Sequence, residues 1–139
     1  MTYSIRKGID PNTARPVIEV LHDGQDWGEA HPHDEHFRFG PFKAHMITAA
    51  KSVIQEFLES EGERPPRGQA VVATDETCYP SFSVTCCNYN HFIRHGHHID
   101  QPYLKLRLSR FNIGFGLSKA EALVVLMNQI EAFVREHDA

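Results

Sequence analysis

The sequence predicts an α+β domain in which an antiparallel sheet carries two helices, each reached from a strand through a Phe-Gly turn. Three observations lead there. Short stretches alternate apolar and polar residues, most regularly Leu104, Leu106 and Leu108 against Lys105, Arg107 and Ser109. Two longer stretches carry apolar residues at 3-4-3 spacing, Ile47, Ala50, Ile54 and Phe57 in one and Leu123, Leu126, Ile130 and Phe133 in the other, which sets four side chains on one helix face. These stretches also match each other at an offset of 76 residues: Phe39, Gly40, Lys43, Ala44, Ile54 and Phe57 fall on Phe115, Gly116, Lys119, Ala120, Ile130 and Phe133. A strand that ends at Phe-Gly and feeds an amphipathic helix is written twice, the pattern of an internal duplication.

Taken in order, residues 1 to 15 hold Gly8, Pro11 and Asn12 and read as a short strand or extended arm followed by a turn. Pro16 to Leu21 is a strand closed by Asp23-Gly24. A polar loop with Trp27 and the run His31-Pro32-His33-Asp34-Glu35 precedes His36-Phe37-Arg38-Phe39, whose alternation marks the strand that delivers the chain to Gly40. Pro41 suits the first helical position, where its missing N–H costs nothing, and the helix is expected to run to about Glu61 and stop at Gly62. Gln69 to Ala73 and Ser81 to Cys87 read as strands, the second with Phe82, Val84 and Cys86 on one face and Ser83, Thr85 and Cys87 on the other. Asn88 to Gln101 is less regular, and Tyr103 to Phe111 is the clearest strand of all. Ser118 and Glu121 stand at capping-box spacing for the last helix, whose run Ala122 to Met127 is apolar nearly all round. The predicted organisation is a single domain, 1–139, of two related strand-helix units, 16–61 and 69–136, joined by the Pro-rich connector 62–68.

At 139 residues one core is expected, burying roughly 68% of the surface the unfolded chain exposes. No apolar run approaches the roughly 20 residues that cross a bilayer, and Met1 to Arg6 holds no apolar signal region, so a cytoplasmic, non-membrane protein is expected. Cys78, Cys86 and Cys87 cannot all pair within one chain, and neighbours on a strand face opposite ways, which fits reduced thiols. The formal net charge of −4 excludes a surface that is basic throughout but leaves room for a local basic patch.

Histidine is the unusual residue, with ten in the chain. His31, His33 and His36 with Asp34 form one cluster, and His91, His95, His97 and His98 followed by Asp100 a second; three imidazole or carboxylate ligands on one ion would make a zinc or other divalent site. With an open fourth position such a site supports a metal-dependent hydrolase or nuclease, the alternative function. The aspartate at 34 stands one place too early for the metallo-β-lactamase pattern, and the histidine pair 97–98 lacks the later ligand of an HNH nuclease. Cys-x-x-Cys, His-Glu-x-x-His, a phosphate-binding glycine loop and a nucleophile elbow are all absent. A thiol nucleophile would be Cys87 near His91, although strand cysteines are usually inert core.

Binding without catalysis is the primary expectation, in an adaptor, inhibitor or accessory protein. Its partner is either another protein, including a second copy through the apolar run Ala122 to Met127, or a nucleic acid. For the nucleic acid the residues are Arg38, Arg94, Tyr103, Lys105 and Arg107, with Tyr89 and Phe92 interleaved, because positive charge plus stacking rings holds single strands. Exposed strands also carry Lys and Arg simply for solubility and edge protection.

Overall fold

The α+β class holds in the computed structural model, which combines antiparallel sheets with several helices. It describes residues 2–31, 36–61, 68–72, 82–94, 97–108 and 111–137, and for 68–72, 82–94, 97–101, 108 and 111 the backbone alone. The chain forms two compact units, Met1–Thr48 with Val125–Ala139, and Ala49–Val124.

In the first unit, β1 (Tyr3–Ile9) and β2 (Pro16–His22) pair antiparallel, from Tyr3 opposite His22 to Ile9 opposite Pro16. Their connection is a local device: the Asn12 N–H donates to Asp10 Oδ1 at 2.8 Å and the Ala14 N–H to the Asp10 carbonyl at 2.8 Å. Asp23 and Gly24, both with positive φ (52° and 79°), turn β2 into β3 (Gln25–Asp26) as the two-residue Asp-Gly hairpin turn. A short helix α1 (Trp27–Ala30) follows, and β4 (Arg38–Phe39) pairs with β2, setting Phe39 opposite Ile18 and Arg38 opposite Glu19. Phe37 and Phe39 are buried between exposed His36 and Arg38, as alternation requires. Helices α2 (Pro41–Ala49) and α5 (Met127–His137) complete the unit, and Lys7 Nζ of β1 meets Glu136 Oε2 of α5 at 2.8 Å.

The second unit holds α3 (Lys51–Glu59), a four-stranded sheet in the order β5 (Gly68–Val72), β6 (Phe82–Arg94), β7 (His97–Leu108), β8 (Phe111–Phe115), and α4 (Leu117–Val125). All neighbours are antiparallel. Asn88 to Gln101, expected to be irregular, belongs to the long β6–β7 hairpin, which runs out to Arg94 opposite His97. The polar residues of this stretch hid a strand pair whose described residues, 88–94, are laddered against 97–103.

Both long helices are broken where unbroken ones were expected, at Ala50 and at Leu126, and neither break carries Gly or Pro. The breaks fall next to the boundaries between the two units, so the two halves of each helix are assigned to different units. All eight stripe residues are buried, which also accounts for a run from Ala122 to Met127 apolar nearly all round. Further details recur 76 residues apart. Ala44 N–H donates to the Gly40 carbonyl at 3.0 Å and Ala120 N–H to that of Gly116 at 3.0 Å, making Gly40 and Gly116 the helix caps and setting Ser118 inside α4 rather than before it. A Cβ on either glycine would stand 3.5 Å from a carbonyl oxygen, of Pro16 in one case and Pro102 in the other. Among the described residues, no helix is long and apolar enough to cross a membrane.

Candidate nucleic-acid interface

The site grows from the alternation of β7. Leu104 and Leu106 are fully buried, while Tyr103 and Lys105 are half-buried and Arg107 is exposed. The register then extends this outer face across the sheet: Thr85 stands opposite Lys105 and Ser83 opposite Arg107 on β6, with Gly114 and Asn112 in the same places on β8. Beyond them the register slips by one between Cys86 and Asn88, leaving Cys87 as the extra residue of a β-bulge. The slip has a consequence for charge. Without it Cys87 and Tyr89 would share the face of Lys105; with it Asn88 stands opposite Tyr103, Asn90 opposite Gln101, Phe92 opposite Ile99 and Arg94 opposite His97. The bulge therefore brings the Arg94 and Phe92 positions onto the face of Tyr103, Lys105 and Arg107, and sends Tyr89, opposite Pro102, to the other face. No Asp or Glu occupies any described position of this outer face, in a chain with 18 acidic residues.

Tyr103 is held in a particular pose. A Cβ built on Gly114 would lie 1.7 Å from the Tyr103 hydroxyl oxygen and 2.3 Å from the ring carbon that bears it. The phenol thus fills the space that any larger residue at 114 would take, and the ring lies down across β8 instead of standing off the sheet. Burial pushes the Tyr103 phenol above its usual pKa, so it remains neutral at physiological pH and adds no negative charge to the face.

Arg38 belongs to the other unit and has different surroundings. Cross-strand register forms the row Arg6, Glu19, Arg38, and the Arg6 guanidinium is hydrogen-bonded to the Glu19 carboxylate. An acid therefore occupies the centre of that face, and Arg38 is not brought together with Lys105 and Arg107 within either unit.

Among the histidines, His31 and His36 are each engaged by a different side chain. His31 Nε2 lies 2.8 Å from His22 Nδ1, one ring nitrogen donating and the other accepting, and the His31 ring stacks on Trp27 at 4.3 Å. His36 Nδ1 lies 2.8 Å from Asp26 Oδ1, the oxygen that also caps α1 by accepting from the Gly28 N–H at 3.1 Å. Sequence spacing did not reveal His22, the buried partner, because its strand reads as apolar. His33, Asp34, His95 and Cys78 lie outside the described residues. Of His97, His98 and Asp100 the backbone is described, and the register sets His98 and Asp100 on one face of β7 and His97 on the other. Among the described residues, no group of three or more His, Cys, Asp or Glu is gathered for a metal ion. No protein-family model, curated protein or solved structure matches the chain.

Proposed function

We propose that this is a non-catalytic binding protein and that the outer face of the β5–β8 sheet is its contact surface for nucleic acid. The observation that carries the reading is that, among the described residues, no Asp or Glu position lies on the face that holds Lys105, Arg107 and the Arg94 position. A chain of net charge −4 repels a polyanion at most of its surface, so a strip without acids decides where a phosphate backbone settles. From His97 to Arg107 the strand extends about 33 Å at roughly 3.3 Å per residue, long enough to follow several phosphates. The apolar run that suggested a protein partner offers little: Ala122, Leu123, Leu126 and Met127 are buried, and Val125 alone is well exposed, at 61%.

The two strand-helix units, 16–61 and 69–136, joined by 62–68, are read as copies of one ancestral unit, supported by the paired helix breaks and glycine caps. By the same correspondence Glu19, opposite Arg38, stands where the second unit has Lys105, opposite Gly114. The function is therefore assigned to one copy. Fluorescence anisotropy of labelled oligonucleotides, single-stranded and duplex, tests it at low salt. Binding that weakens with Lys105→Ala and with Arg107→Ala is expected; absence of binding to both ligands would refute the reading.

A further inference from the structure

The acid-free face holds two aromatic positions, Phe92 and Tyr103, and Tyr103 is the one whose side chain is described, with its tip set against Gly114. The ring reaches across the strand gap with its tip over Gly114, and the residue stays partly exposed. Lys105 and Arg107 follow it at every second position along β7. A flat ring beside a row of cations meets the two needs of an unpaired nucleotide, a surface on which to stack the base and charge to hold its phosphates. Duplex bases are stacked on each other and present no face to such a ring, and a bare polyanion has nothing to lay upon it.

We infer that Tyr103, reaching over Gly114, is a stacking platform for an unpaired base, so that the ligand of this face is single-stranded nucleic acid. The inference rests on the nucleic-acid reading of the same face. Glycine at 114 is then a positioning residue: any side chain there collides with the phenol and lifts the platform.

The test compares three ligands with the same number of phosphates: oligothymidylate, an abasic deoxyribose-phosphate oligomer and a duplex. Wild-type protein is expected to bind oligothymidylate about 5- to 150-fold more tightly than the abasic oligomer, the ratio that stacking one base provides. Tyr103→Ala should erase that ratio, Tyr103→Phe should preserve it, and Gly114→Ala should reduce it. The wild-type comparison needs no variant to fold. Equal wild-type affinity for oligothymidylate and the abasic oligomer, tighter binding of the duplex, or equal loss of both single strands in Tyr103→Ala would overturn the stacking role while leaving nucleic-acid binding in place. Failure of all three ligands to bind at low salt would remove both.

Discussion

Trp27 stands in a polar stretch of sequence and is nevertheless fully buried. Tyr3, His22 and His31 lie nearly parallel to its ring at 6.2, 5.7 and 4.3 Å, and Phe37 meets it edge-on at 5.5 Å. Trp27→Ala should therefore cost about 3–5 kcal/mol, read from urea unfolding, whereas an unchanged midpoint would mean that the cluster is not core. The carboxylates nearby respond to acid. The backbone N–H of Thr2 holds Asp23 below its ordinary pKa, and for Asp26 burial pushes upward but the His36 and Gly28 hydrogen bonds outweigh it. Both folded values lie below the unfolded value of 3.8, so their contribution to stability is present above that pH and is lost as pH falls through the depressed values. The unfolding midpoint should drop below about pH 4 and drop less steeply in Asp26→Asn; identical profiles would contradict the assignment. Phe37 and Phe39 are readable from alternation alone. The Tyr103–Gly114 contact is not, because it joins diagonal neighbours whose meeting depends on register.

At the scale of elements, the sequence reads well where a residue acts through local geometry. Pro41 opens α2, Asp23-Gly24 makes the hairpin turn, and the 3-4-3 stripes are buried throughout. It reads poorly where a distant surface decides. The breaks at Ala50 and Leu126 carry no Gly or Pro as a marker, and the bulge at Cys87 has no composition that announces it. That bulge matters most for the site, since it determines which half of the polar hairpin shares the face of Lys105. Gly40 and Gly116 offer a measurement of the paired construction. Each has room for a methyl group, so Gly40→Ala and Gly116→Ala should both lose only the cap preference, on the order of 1 kcal/mol each by chemical denaturation. Costs differing by several kcal/mol would separate the two caps.

Across the whole molecule, the described positions of one sheet face carry no Asp or Glu, while the corresponding row of the first unit centres on Glu19. Glu19 faces Arg38 in the first unit where Lys105 faces Gly114 in the second. This asymmetry is open to a direct measurement, the salt dependence of oligonucleotide affinity in wild-type protein and in the Lys105→Glu, Arg107→Glu double variant. With about three cations meeting phosphates, the logarithm of the wild-type association constant should fall against the logarithm of salt with a slope of roughly −2. The double variant should show no binding even at low salt. An affinity indifferent to salt, or one that survives reversal of both charges, would contradict the account.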